Sequence, residues 1–192
     1  MNYINPVEIL KLQNEVANSI DAIVIRKAKR RLFAEIDLSD NGLLNYYNQT
    51  LTKSDCERVI DELDDSNKFE FYCHLTSNIM LNRFLANGNT EFLFHPKQES
   101  IYKFPGFLNF ISPYFSSKIE NVLLKAFQNK DIDLFKSALE IDYLTALNEL
   151  NNKYRSLNNE IDQRIYEIDQ TARNIKEKKP ILQKIIFHLS LI

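Results

Sequence analysis

The chain has 192 residues, 44% hydrophobic and 26% charged, the profile of one globular domain or of a small domain with an extension. Its net charge of −2 provides no general attraction for nucleic acid or an anionic membrane. Only 3 Gly and 5 Pro occur, too few turn residues for a sandwich or barrel, so an all-α fold is predicted.

Asn5-Pro6-Val7-Glu8 reads as a helix start. Asn5 caps, Pro6 suits the first helical position, and Glu8 falls where a capping box places its acid. This helix is expected to reach about Gln13, with a polar spacer over 14–18. Ser19 or Asp21 caps a second helix to about Ile36, with Ile20, Val24, Ala28, Leu32 and Ile36 as its buried stripe. Arg26, Lys27, Lys29, Arg30 and Arg31 lie on its other faces. They are the candidate docking surface for an acidic protein partner. The alternative is a solvated face whose stems cover apolar surface.

Residues 37–51 read as a loop. Thr52-Lys53-Ser54-Asp55 opens a third helix with a capping-box pattern, running to about Asp64. Its acids are Asp55, Glu57, Asp61, Glu62, Asp64 and Asp65, and part of this acidic face is expected to lie near the basic second helix and neutralise it. A fourth helix is expected from Asn67 to Asn87, closed by Gly88. Residues 89–112 form an aromatic-rich connection between a helical module over 1–88 and a helical region over 113–192. Ser112-Pro113 starts a helix to about Asn129, and Asp131 caps the next. From Tyr143 to Lys178, Leu147, Tyr154, Ile161, Ile168 and Ile175 recur every seven residues, with Leu150, Leu157, Ile165 and Ala172 as companions. This predicts a long coiled-coil-like helix of roughly 50 Å. Its seam must bury on the preceding helix or on a second copy.

Two stretches resemble the J domain of DnaJ-type co-chaperones. Asn5 to Leu10 is similar to the opening D-Y-Y-E-I-L of that family. Ile25-Arg26-Lys27-Ala28-Lys29-Arg30-Arg31-Leu32 is similar to its I-K-K-A-Y-R-K-L. Further on, Leu63, Asp65, Lys68 and Tyr72 match the pattern L-S-D-P-E-K-R-x-x-Y. The resemblance covers residues 4–72 and implies a J-like helical module. The family's His-Pro-Asp triplet, required to stimulate an Hsp70, falls at Asp37-Leu38-Ser39 or, shifted by one, Leu38-Ser39-Asp40. Neither holds the His or the Pro, so the expected module does not stimulate an Hsp70.

No catalytic, cofactor or metal site is predicted. Cys73 and His74 are neighbours pointing about 100° apart on a helix and cannot chelate one ion. Glycines isolated at 42, 88 and 106 build no phosphate-cradling loop. Two cysteines make no disulfide framework, no stretch of 18 apolar residues occurs, and the first residues lack a signal-peptide pattern. The expectation is a cytoplasmic, non-enzymatic interaction protein or chaperone-like adaptor, with no nucleic-acid or membrane partner. A structural subunit that forms homo-oligomers through the 143–178 helix is the alternative.

Overall fold

The computed structural model describes residues 2–13, 21–96, 99–144, 157–168 and 186. Two compact units divide the chain, Asn2–Asn89 and Thr90–Ile192. Helices dominate both, as the composition predicts, and one two-stranded hairpin is the only sheet among the described residues.

In the N-terminal unit, α1 (Pro6–Ile9) starts as expected: Asn5 Oδ1 accepts from the Val7 amide at 3.0 Å. It stops short of Gln13 because the chain turns at Lys11, which takes φ +58°. A straight helix would spread Ile9, Leu10 and Leu12 over about 160° of its circumference. The turn lets all three enter the core. The capping-box role of Glu8 is not taken up, since the Asn5 amide donates to the Tyr46 hydroxyl at 3.2 Å. Helix α2 (Ala22–Asp37) is capped by Asp21, and Ala28, Leu32 and Ile36 are its buried stripe. Val24 is half-buried, and Ile20 lies outside the described residues.

The expected loop over 37–51 contains a β-hairpin instead. β1 (Leu44–Tyr46) pairs antiparallel with β2 (Gln49–Leu51), Tyr46 opposite Gln49. Nothing in the turn residues Tyr47-Asn48 resembles the Asn-Gly or Asp-Gly that favours such turns. Tyr47 takes φ +50°, an unfavourable region for an aromatic residue. Tertiary contacts hold it there: its ring meets Tyr46 edge-on at 4.8 Å, and its hydroxyl donates to Glu8 Oε1 at 2.8 Å.

Helix α3 (Lys53–Ile60) carries the expected capping box between Thr52 and Asp55 and continues as a 3-10 turn, Asp61–Asp64. The fourth helix is two helices. α4 (Ser66–Ser77) ends at Asn78, whose side chain caps α5 (Ile79–Asn87) by accepting from the Leu81 amide at 3.1 Å. Gly88 closes α5 at φ +78°.

In the C-terminal unit, α6 (Glu91–Phe94) and a 3-10 turn (Ser100–Lys103) precede α7 (Pro105–Asn129). That helix starts at Pro105, so Pro113 is interior and not a start. Phe107, Ile111, Phe115, Ile119 and Leu123 recur every fourth residue and are fully buried. The stripe runs straight past Pro113, which sits on the exposed side, and its burial outweighs the lost hydrogen bond. Asp131 caps α8 (Ile132–Leu139), which packs on α7.

The longest described helix is α7; of the helix expected over 143–178, residues 145–156 and 169–178 lie outside the described residues. Asp142–Leu144 is a 3-10 turn, and α9 covers residues 157–168. Leu157 and Ile161 are buried, and Gln128 of α7 donates to Glu160 at 3.3 Å, so this part of the seam packs within the chain. Leu147, Leu150, Tyr154, Ala172 and Ile175 lie outside the described residues. No described helix is long and apolar enough to cross a membrane.

Candidate protein-interaction site

The five cations of α2 separate into two groups. Lys29 Nζ lies 3.1 Å from both Glu57 and Asp61 on the acidic side of α3 and its 3-10 extension, and 5.5 Å above the Phe33 ring. Burial works against its charge, but the hydrogen bonds and charges of Asp61 and Glu57 outweigh it, and its ammonium is held above the ordinary lysine range. Arg31 Nη2 donates to the Leu10 carbonyl at 2.9 Å and so holds the end of the N-terminal segment. Lys29 is thus matched by acids of its own unit, whereas Arg31 stays exposed with one bond to the backbone.

Arg26, Lys27 and Arg30 form the second group. All three are exposed, and none has an ion pair or hydrogen bond among the described residues. Helical spacing sets Arg26 and Arg30 one turn apart with Lys27 beside them. Ile23, 58% exposed, shares that face. Like charges one turn apart cost a helix about 0.2–0.5 kcal/mol. By contrast, Lys11, Lys53 and Lys68 of the same unit pair with Glu35, Asp37 and Glu62.

The positions of the missing His-Pro-Asp triplet have structural partners or none. Asp37 pairs with Lys53 at 2.7 Å, and Ser39 Oγ donates to the Ile36 carbonyl at 2.7 Å. Leu38 between them is 86% exposed.

A largely buried polar network in the same unit has no counterpart in the sequence reading. Its bond directions follow one another. The Val7 amide can only donate, so Asn5 Oδ1 accepts and Asn5 Nδ2 must donate, at 3.0 Å, to Asn82 Oδ1. Tyr3 donates to the same oxygen at 2.8 Å. Asn82 Nδ2 is thereby turned to Glu8 Oε2 at 2.9 Å. The Tyr46 hydroxyl donates to Glu8 Oε2 and the Tyr47 hydroxyl to Oε1, each at 2.8 Å. The chain of donors ends on one carboxylate that receives three bonds.

Burial, reinforced by the Glu8 charge, pushes the Tyr46 phenol far above its ordinary range and Tyr47 up to about 12. Burial likewise raises Tyr3. All three therefore remain protonated donors at neutral pH. Arg83 beside Tyr47 works in the opposite direction and is outweighed. Sequence reasoning missed this network because its partners stand 38 to 79 positions apart and no local pattern links them.

Burial pushes the thiols of Cys56 and Cys73 up to about 11, so both are protonated at neutral pH. Among the described residues, no group of three or more His, Cys, Asp or Glu side chains is placed to hold a metal ion. Comparisons of the chain with protein-family models, curated proteins and solved structures find no match.

Proposed function

We propose that the chain is a non-enzymatic interaction protein of the cytoplasm, an adaptor whose J-like N-terminal module docks an acidic protein surface without stimulating an Hsp70. The row of Arg26, Lys27 and Arg30 carries this reading, exposed on one face of α2 and unpaired among the described residues, while neighbouring cations are matched by acids. Arginine forks suit bidentate carboxylate recognition, and complementary charge speeds and selects encounter. Lys29 and Arg31 are left out of the docking face because Glu57, Asp61 and the Leu10 carbonyl already engage them.

The test is a partner isolated with the native chain and then titrated in purified form. Reversing charge at Arg26, Lys27 and Arg30 should weaken it at least about tenfold at low salt. Unchanged affinity would remove the docking face. A steady-state Hsp70 ATPase assay with the same protein should show no stimulation. The assembly reading, through residues 143–178, is disfavoured by the burial of Leu157 and Ile161 in their own chain. Light scattering on the full chain separates the two readings, since an oligomer at every concentration would favour assembly.

A further inference from the structure

The exposed side of α2 is a continuous ridge, and Arg26, Lys27 and Arg30 are only its middle. At about 100° per residue, Ile23, Arg26, Lys27, Arg30, Ala34 and Leu38 fall within about 120° of the helix circumference. All of them are exposed, Ile23 at 58% and Leu38 at 86%. The two aliphatic side chains therefore stand about 22 Å apart on one line, with three cations and the small Ala34 between them. Leu38 is not a frayed end: as the C-cap it keeps a right-handed helical conformation. Its amide donates to the Ala34 carbonyl at 3.1 Å, Ser39 Oγ donates to the Ile36 carbonyl at 2.7 Å, and the Leu43 amide donates to Ser39 Oγ at 3.2 Å. An ordered turn thus holds the aliphatic side chain outside. The acids of α2, Glu35 and Asp37, are engaged by Lys11 and Lys53 from other segments, so neither neutralises the row.

We propose that this ridge binds one kind of partner, an acidic amphipathic helix lying along α2, with an aliphatic residue toward each end and carboxylates between. The inference rests on the docking reading of Arg26, Lys27 and Arg30 and extends it to Ile23 and Leu38, which charge alone leaves unused. Charge complementarity calls for acids opposite the row. The aliphatic ends call for apolar contacts, which removal from water favours. A helix fits better than a strand because the backbone of α2 is satisfied within its own turns. A strand laid on it would find no main-chain partner, whereas a helix brings its backbone groups already paired. Ala34 leaves room for close approach of the partner. A lipid surface is the poorer match, because an interfacial helix buries a continuous apolar face. The apolar stripe of α2, Ala28, Leu32 and Ile36, is already buried in the core.

The test is a fluorescence anisotropy titration of the full chain at low salt with a synthetic helical peptide of about eighteen residues, long enough to cover the ridge. On an alanine–glutamine background the peptide carries three glutamates on one face, with a leucine toward each end of that face. Saturable binding is expected. Leu38→Ser and Ile23→Ser should each weaken it about five- to tenfold, with the circular dichroism unchanged because both side chains are exposed. A peptide of the same composition, its glutamates and leucines scattered around the helix, should bind at least about tenfold more weakly. Vesicles of phosphatidylserine and phosphatidylcholine should not displace the peptide. The proposal is overturned by an absence of saturable binding, by equal affinity of the serine variants or of the scattered peptide, or by displacement with the vesicles. Reversing charge at Arg26, Lys27 and Arg30 separates this inference from the reading beneath it. Loss of binding there, with no effect of Leu38→Ser or Ile23→Ser, leaves the docking row standing and removes the aliphatic-ended ridge. No effect of the charge reversal removes the row and the proposal with it.

Discussion

Glu8 shows how much one side chain decides. It lies only half-buried, yet it receives Tyr46, Tyr47 and Asn82, and the last of these is itself locked by Asn5 and Tyr3. Glu8→Ala leaves the buried Asn82 amide with no acceptor and should lower stability by about 2–3 kcal/mol, read as a shifted urea midpoint. Glu8→Gln keeps an acceptor for Asn82, and the Tyr47 hydroxyl can rotate to accept from the new amide. Its cost should be about 1 kcal/mol or less. Equal losses in the two variants would show that the network is not directional. Residue by residue, the sequence indicated that Asn5 caps a helix; its second role, turning Asn82 toward Glu8, depends on elements more than 70 positions away.

Single elements were the most legible scale. Asp21, Thr52 with Asp55, Gly88 and Asp131 each mark a boundary where the sequence predicts it, because a cap is an interaction within four residues. The cap at α3 gives a pH prediction. Hydrogen bonds from the Thr52 side chain and backbone hold the Asp55 carboxyl below its ordinary range. A depressed carboxyl stabilises the fold above its unfolded-state value and loses that contribution as pH falls through the folded-state value. Stability should therefore drop as pH falls below the ordinary aspartate range, and Asp55→Asn should flatten that part of the profile; an unchanged acid limb would remove Asp55 from the account. In the C-terminal unit, Pro113 misled the reading in a physical way. Ser-Pro is a good helix start, but the stripe Phe107–Leu123 continues through it. Pro113→Ala restores a donor on the exposed side of α7. It should raise the thermal midpoint, with a gain of about 1–3 kcal/mol. A fall would mean that α7 needs the local distortion.

For the whole molecule, the division into two compact units means that the N-terminal one should stand alone. A fragment of residues 1–89 should melt cooperatively and keep its helical signal, since the Glu8 network and the α1–α5 core are internal to it. A non-cooperative melt would show that residues beyond 89 are required. At this scale the charge balance also becomes specific. Only 26% of residues are charged and the net is −2, but folding sorts the cations of one helix into matched and unmatched sets.

By itself the sequence determined the helical class, several caps and the buried face of α2, because periodicity and capping act over a few neighbouring residues. Tertiary structure alone decided that Tyr47 turns a hairpin and that Asn78 divides a helix. It also decided that Lys29 and Arg31 are engaged by groups of their own unit while Arg26, Lys27 and Arg30 have no ion pair or hydrogen bond among the described residues. The reason is range. Five similar cations are indistinguishable along the chain, and only packing brings Glu57, Asp61 and the Leu10 carbonyl within reach of two of them.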